Sequence, residues 1–125
     1  MRLLLDTHIY LWWLSDDPKL GLAARSAILA ATEVMVSSAS IWECAIKSHL
    51  GKLAVDLDEL VAHISASGFR ELPVWAKHAA MVASLPDLHR DPFDRILVAQ
   101  AVCEPLRLLT SDRTLAAYSP LVEVV

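Results

Sequence analysis

The most informative stretch of the sequence is residues 91–103, DPFDRILVAQAVC, which predicts a buried helix. Asp91 is a good N-cap, and Pro92 a good first helical residue, because proline lacks an N–H that the first turn would leave unpaired. From Ile96 onward, apolar residues occupy nearly every side of the helix, so we expect it to be sandwiched in the core. A short strand, RLLT at residues 107–110, follows it.

Four other short apolar runs alternate with helical segments along the chain. They are residues 3–5, 34–36, 69–72 and 121–125. Parallel strands need long crossover connections, and helical crossovers cover both faces of the sheet. We therefore expect an α/β fold, a mainly parallel five-stranded sheet with helices on both faces. In such folds ligands bind beyond the carboxyl ends of the strands.

Size and composition restrict the class of protein. The 125 residues correspond to one domain, so we expect a single domain over residues 1–125. With 55% hydrophobic and 21% charged residues, the chain is not intrinsically disordered. Its formal charge of −4 disfavours nucleic-acid binding unless basic residues cluster locally.

The sequence also predicts a cellular compartment. Cys44 and Cys103 fit neither a CxxC pair nor a secreted disulfide framework, and free thiols suit a reducing cytoplasm. Asp6 interrupts the apolar N-terminus too early for a signal peptide, and no uncharged apolar run approaches the roughly 18 residues of a membrane helix. We expect a cytoplasmic protein without a membrane partner.

Four acidic residues fall at or just inside the predicted starts of helices: Asp6, Glu43, Asp94 and Asp112. Capping is the simplest explanation for each, and the spacing of Ser40 to Glu43 matches a capping box. Capping does not explain why Glu43 lies among apolar residues, or why Asp94 leads a helix that is apolar on every side. Carboxylates are rarely buried unless they are paired or bind a metal.

A shared site for these acids would require a counter-charge. Two carboxylates about 4 Å apart repel by roughly 4 kcal/mol at an effective dielectric constant near 20. Mg²⁺ or Mn²⁺ offsets this repulsion and prefers oxygen ligands. The histidines show no ligand-like spacing to another His or Cys, so we expect surface or core positions for all of them: His8, His49, His63, His78 and His89.

Four blocks of sequence together resemble the PIN domain family and, more narrowly, the VapC-type toxins of bacterial and archaeal toxin–antitoxin pairs. The blocks are LLDTH at residues 4–8, SASIWE at 38–43, HRDPFDRILVAQA at 89–101 and LTSD at 109–112. The resemblance spans essentially the whole chain and shows no departure at the acidic positions.

The resemblance implies a function. By it, Asp6, Glu43, Asp94 and Asp112 are the metal-binding acids of a Mg²⁺- or Mn²⁺-dependent endoribonuclease. It also implies a PIN-like sheet in which the strands before Asp6 and Asp112 are neighbours. Further implications are an RNA substrate, a homodimer, and an antitoxin partner whose tail covers the acidic pocket.

Residues beside the acids supply candidate substrate contacts. Three arginines are placed either to bind phosphate or to pair with a neighbouring aspartate: Arg90, Arg95 and Arg113. Thr110 and Ser111 either hydrogen-bond a ligand carboxylate or a metal-bound water, or form a turn. Asp91 is a better cap than ligand, because Pro92 follows it. The tryptophans favour core or interface positions over base stacking: Trp12, Trp13, Trp42 and Trp75.

Two other functions fit an acidic α/β pocket. One is a receiver-like phosphoacceptor domain, in which an aspartate takes a phosphoryl group. The other is a catalytically silent binding module that holds a basic peptide. The sequence has no G-x-S-x-G motif, no GKS or GKT loop and no G-x-G-x-x-G motif, so it predicts neither that serine nucleophile nor a glycine-rich phosphate loop.

Overall fold

The computed structural model describes residues 1–88 and 91–125, and within them five strands and six α-helices follow one another along the chain. The strands are β1 (Arg2–Leu5), β2 (Glu33–Ser37), β3 (Arg70–Leu72), β4 (Arg107–Thr110) and β5 (Val122–Val124). The helices are α1 (Thr7–Ser15), α2 (Leu22–Ala30), α3 (Ser38–His49), α4 (Leu57–Ala66), α5 (Ala76–Met81) and α6 (Pro92–Cys103). Two short 3₁₀ helices span Val82–Ser84 and Arg113–Ala117.

The five strands form one parallel sheet in the order β3-β2-β1-β4-β5. In the central strand, Leu4 lies opposite Met35 on one side and Leu108 on the other. This confirms the predicted α/β fold. It also makes β1 and β4 neighbours, an adjacency that residue periodicity alone did not predict.

The core lies on both faces of the sheet because side chains alternate along each strand. Leu3 and Leu5 pack with buried residues of α1, α2 and α4. Leu4 points to the opposite face and belongs to a second cluster with Leu97 and Val98 of α6. Helix α6 is thus covered on the side that faces the sheet, as its apolar sequence predicts.

The predicted start of α6 is confirmed. The Asp91 carboxylate accepts hydrogen bonds from the backbone N–H groups of Phe93 at 2.8 Å and Asp94 at 3.3 Å, and Pro92 is the first helical residue. Helix α3 is followed by Gly51 with a φ of 71°, the left-handed conformation that favours glycine after a helix end.

One detail of the sequence interpretation at α3 is wrong. Helix α3 begins at Ser38 with Ser37 as its N-cap, so Ser40 and Glu43 lie inside the helix and form no capping box. For the tryptophans the sequence favoured core or interface positions. Trp42 and Trp75 are 63% and 56% exposed, which excludes the core for these two and leaves an interface position as a prediction.

Two further expectations concern the compartment. Cys44 is buried and Cys103 is partly buried, and both are free thiols. Within the described parts of the chain, no helix is both long enough and apolar enough to span a bilayer.

Candidate active site at the carboxyl edge of the sheet

The candidate site lies where β1 and β4 end side by side. From β1 the chain continues to β2 on one side, whereas β4 lies on the other side, so this is the topological switch point of the sheet. The backbone N–H of Asp6 donates to the Leu109 carbonyl at 3.0 Å, which extends the pairing of the two strands by one residue. Asp6 therefore occupies the crevice in which open α/β sheets bind ligands.

Asp6 is only 6% exposed, and its hydrogen-bond partners are neutral. Oδ2 accepts from the Thr110 hydroxyl at 2.5 Å, and Oδ1 accepts from the His8 backbone N–H at 3.3 Å. Burial raises the pKa of Asp6, while the Thr110 hydrogen bond and the charge of His8 oppose the shift. The nearby Glu43 charge makes a smaller upward contribution to the same pKa.

Glu43 reaches this edge from α3 and is 7% exposed. The Thr7 Oγ1 atom lies 2.8 Å from Glu43 Oε1 and 2.9 Å from Ser40 Oγ. Because one hydroxyl carries one hydrogen, Thr7 donates to the carboxylate and accepts from Ser40. The other Glu43 oxygen, Oε2, accepts from Lys47 Nζ at 2.7 Å, one helical turn further along α3.

Thr7, Ser40 and Lys47 were not among the predicted site residues. Thr7 directly follows Asp6, and Lys47 lies four residues after Glu43, the spacing at which opposite charges meet on a helix. These two signals were present in the sequence. The contact of Ser40 with Thr7 links segments 33 residues apart and had no local signal.

Asp94 lies in the first turn of α6 and is partly buried. Leu97 and Val98, three and four residues on, share its helix face and pack on the sheet. Because α6 leads into the amino end of β4, its first turn lies at the carboxyl edge. The fold thus places Asp94 at the same edge as Asp6.

Asp112 follows β4 and serves as an N-cap. Its Oδ1 accepts from the backbone N–H of Thr114 at 2.9 Å and from the Thr114 hydroxyl at 2.7 Å. Its own backbone N–H donates to Thr110 Oγ1 at 3.0 Å, which is the hydroxyl that also contacts Asp6. Thr110 therefore links Asp6 to the turn that carries Asp112.

The remaining predicted contacts fall into three groups. The Arg95 guanidinium donates to the carbonyls of Pro86 at 2.9 Å and Val82 at 3.1 Å, so it also anchors the segment before α6. Ser111 and Arg113 are exposed beside Asp112. Arg90 and His89 lie outside the described residues.

Asp91 caps α6, as predicted, and also lies near the site. The hydrogen bond to Glu43 raises the pKa of Lys47 despite partial burial, and the Asp91 charge adds a smaller upward contribution. Lys47 is thus ion-paired with Glu43, and Asp91 contributes only a smaller electrostatic effect.

The donors at this edge suit a hard divalent cation, because they are carboxylate and hydroxyl oxygens. Among residues 1–88 and 91–125, no three His, Cys, Asp or Glu side chains are grouped closely enough to hold a metal ion. The buried Asp6 carboxylate, hydrogen-bonded to neutral groups and close to Glu43, nevertheless carries charge that a cation would offset. The four-acid metal site stays a prediction.

Comparison with known proteins identifies the family of this chain. The PIN domain family matches residues 3–119. Ribonuclease VapC22 from Mycobacterium tuberculosis is 33% identical over 121 residues, which cover 92% of this chain and 90% of that protein.

Solved structures share the fold. One chain of VapBC2 from Rickettsia felis, bound to a promoter DNA fragment, superimposes with a TM-score of 0.71 at 17% identity and covers 100% of this chain and 98% of its own. A toxin-antitoxin complex from Klebsiella pneumoniae gives a TM-score of 0.66 at 21% identity, with 97% and 95% covered. The family match, the relative and the sheet topology together show that this chain belongs to the PIN domain family.

Proposed function

We propose that this chain is a metal-dependent endoribonuclease and the toxin of a toxin–antitoxin pair. The observation that carries the proposal is the buried Asp6 carboxylate at the switch point of the sheet, close to Glu43 and hydrogen-bonded to neutral groups. Membership of the PIN family supports it, as does the relative named as a ribonuclease.

Mg²⁺ or Mn²⁺ is the proposed cofactor. The residues that would hold it are Asp6, Glu43, Asp94 and Asp112. Such an ion, when bound, acidifies a water molecule and neutralises charge on the scissile phosphate. The proposed reaction is hydrolysis of an RNA phosphodiester, with water as the nucleophile and a ribose oxygen as the leaving group.

The chain itself orients the carboxylates for this chemistry. Thr110 and the His8 backbone N–H fix the two oxygens of Asp6, and Thr7 fixes one oxygen of Glu43. Lys47 pairs with the other Glu43 oxygen and offsets part of the acidic charge. Hydrogen bonds of this kind hold ligating carboxylates in one orientation before the substrate arrives.

Substrate contacts form the outer part of the proposed site. Ser111 and Arg113 are exposed beside Asp112, where phosphate would approach the acids. Arg90 and Arg95 are proposed phosphate contacts on the segment that leads into α6. Thr110 contributes indirectly, because its hydroxyl donates a hydrogen bond to the Asp6 carboxylate.

Several properties accompany the proposed function. We infer a cognate antitoxin protein as partner, since the structural neighbours include toxin-antitoxin complexes. We further infer a homodimer, a cytoplasmic location and a single domain over residues 1–125.

The sheet order argues against a receiver-like phosphoacceptor domain. Receiver domains have the flavodoxin-like order 2-1-3-4-5. The order observed here is 3-2-1-4-5, so the third strand lies at the edge rather than beside the first. A catalytically silent PIN module is the alternative that the experiment below distinguishes.

The test is cleavage of structured RNA by the purified protein with Mg²⁺, Mn²⁺ or EDTA. We expect cleavage that requires the metal and is abolished in Asp6→Asn and in Asp94→Asn. Asp58→Asn, at an exposed acid in the first turn of α4, is the matched control and should cleave normally.

A second measurement does not depend on activity. Mg²⁺ should raise the melting temperature of the wild type, as any ligand specific to the folded state does, and should raise that of Asp6→Asn less. Cleavage that survives both active-site substitutions indicates a contaminating nuclease. Metal binding without cleavage indicates the silent module.

A further inference from the structure

A cleft of about 400 Å³ opens beside the candidate active site, between α1 and the end of α3. Its lining includes His8, Leu11 and Trp12 from α1, Cys44 and Lys47 from α3, and Lys52 from the turn that follows. We call it the lysine cleft. Its volume falls within the roughly 300–1,000 Å³ of pockets that bind small molecules.

The lysine cleft is continuous with the candidate active site. Thr7 lines the cleft and also donates to Glu43 at 2.8 Å. Lys47 lines it too, and its ammonium pairs with Glu43 at 2.7 Å. A molecule in the cleft would therefore lie next to the acids.

Lys52 gives the cleft a positive charge. Gly51 adopts a φ of 71° after α3, and the Lys52 backbone N–H then returns to the Lys47 carbonyl at 2.8 Å. This turn brings the two lysines to the same wall. Across the parts of the chain that the structure describes, Lys52 has no ion-pair partner, and no Asp or Glu lines the cleft.

The opposite wall is aromatic. His8 and Trp12 lie one helical turn apart, with ring centroids 6.0 Å from each other and ring planes at 45°. Trp12 also packs against the core, so one side of its ring is fixed by the protein. The floor is apolar, and burial there raises the pKa of the Cys44 thiol to about 11.

This combination matches the chemistry of a nucleotide. Every base offers a flat π-face to an aromatic side chain, and lysines bind the phosphate backbone. Lys52, which has no ion-pair partner among the described residues, would repel a basic peptide and attract a phosphate, whereas the charge of Lys47 is already paired with Glu43. Lys52 also supplies part of the local positive charge that a polyanionic substrate needs on a chain with a net charge of −4.

We propose that the lysine cleft is a substrate subsite that binds one nucleotide of the RNA next to the cleaved bond, with its base against Trp12 and a phosphate at Lys52. This inference rests on the proposed ribonuclease function. It assigns substrate positioning to residues that contribute no carboxylate to the active site.

The first test is RNA binding without cleavage. The probe is a short fluorescein-labelled single-stranded RNA, measured by anisotropy in EDTA at low salt. Lys52→Glu should weaken binding by about tenfold, and the loss should shrink as salt rises, because it is electrostatic. Lys19→Glu, at an exposed lysine outside the cleft, is the control with the same charge change and should lose clearly less.

The second test addresses the base. Trp12→Leu should weaken binding by roughly fivefold or more, the range of a lost base stack, whereas Trp12→Phe should retain most of the affinity. With an RNA probe that carries an abasic nucleotide, the difference in affinity between wild type and Trp12→Leu should be smaller than with an intact probe. Melting curves identify any Trp12 variant whose fold is destabilised. In that case the binding measurements on Lys52→Glu, at an exposed residue, decide the test.

Cleavage separates this inference from the proposed function. In the metal-supplemented protein, Lys52→Glu should raise KM and leave kcat nearly unchanged, as loss of binding that is equal for substrate and transition state does.

Metal-dependent cleavage that needs Asp6 but is insensitive to Lys52 and Trp12 would overturn the subsite and leave the nuclease intact. RNA binding that depends on Lys52 without any cleavage would refute the nuclease and would support the cleft as a nucleotide-binding site without a cleaved bond beside it. A third outcome is that both cleft variants bind RNA as wild type does but no longer form a complex with the antitoxin. That result would overturn the subsite and assign the cleft to the protein partner.

Discussion

Two carboxylates at opposite ends of the sheet have opposite surroundings. At the carboxyl edge, Asp6 is bound by the Thr110 hydroxyl and a backbone N–H. At the amino edge, Glu104 follows α6 and pairs with His78 at 2.5 Å and with Lys77 at 3.2 Å. Asp6 thus lacks a hydrogen-bonded cation, whereas Glu104 has cationic or proton-donating side chains on both sides.

The pKa values follow this difference. Burial raises the pKa of Asp6, while the hydrogen bond from His78 lowers the pKa of Glu104 despite some opposing desolvation. A carboxylate with a lowered pKa stabilises the folded protein at neutral pH, and one with a raised pKa destabilises it. This contrast fits a structural role for Glu104 and supports the functional role proposed for Asp6.

The largest expected effect separates the two acids by activity. Asp6→Asn should lower the rate of RNA cleavage by about a hundredfold or more, the size typical of removing a group that stabilises charge at a reaction centre. Its melting temperature in EDTA should stay the same or rise, because a buried charge is removed. Glu104→Gln should show the reverse, near-normal cleavage and a lower melting temperature. Equal losses of activity in the two variants would contradict the division of roles.

The next effect concerns stability at the amino edge. His78 is completely buried, and its Nδ1 accepts from the Trp75 backbone N–H at 2.9 Å, so Nε2–H donates to Glu104. His78→Leu should lower the free energy of unfolding by about 1–3 kcal/mol, because it removes the hydrogen bonds of the buried imidazole to the partly buried Glu104 carboxylate and to the Trp75 backbone N–H. Urea unfolding measures this loss.

The matched control for that measurement is His63→Leu, at an exposed histidine on α4. Its free energy of unfolding should change by no more than about 0.5 kcal/mol. A similar small change in His78→Leu would show that the partly buried His78–Glu104 pair does not hold α5 to the end of α6.

The difference between the two edges also shows what sequence can predict. Local signals predicted the acids at the carboxyl edge, because strand ends, N-caps and helix starts are encoded within a few residues, as at Asp6 and Asp91. The fold class followed from the alternation of strands and helices. The capping box of Ser40 and Glu43 was wrong because several serines precede Glu43 closely enough to serve as the cap, and Ser37 is the one used.

Long-range pairs were not predicted. The contact of His78 with Glu104 joins segments 26 residues apart, and the network from Thr7 to Ser40 joins segments 33 residues apart. Neither pair has a local spacing rule, since both depend on how the sheet stacks its helices. The neighbouring positions of β1 and β4 came from the family resemblance rather than from residue periodicity.

A smaller effect tests the support of Glu43 within the site. Thr7→Val keeps the shape of the side chain and removes the hydroxyl that donates to Glu43. Cleavage should fall by about tenfold, within the range seen when a group that orients a metal ligand is lost. Thr7→Ser, which restores the hydroxyl, should recover most of the activity. Full activity in Thr7→Val would mean that Lys47 alone positions Glu43.

The smallest expected effect is the pH dependence of the amino-edge pair. Because the folded-state pKa of Glu104 lies below its ordinary value of 4.5, the unfolded chain binds more protons than the folded protein as the pH falls below about 5. The stability that Glu104 contributes is complete at neutral pH and is lost as the pH falls through the folded-state pKa. The difference in unfolding free energy between wild type and Glu104→Gln should therefore narrow on acidification.

The control is Glu59→Gln, at an exposed glutamate, whose unfolding free energy should differ little from that of wild type at neutral or at acidic pH. A difference that widens on acidification would mean that Glu104 is destabilising when charged, and the two edges of the sheet would then be alike.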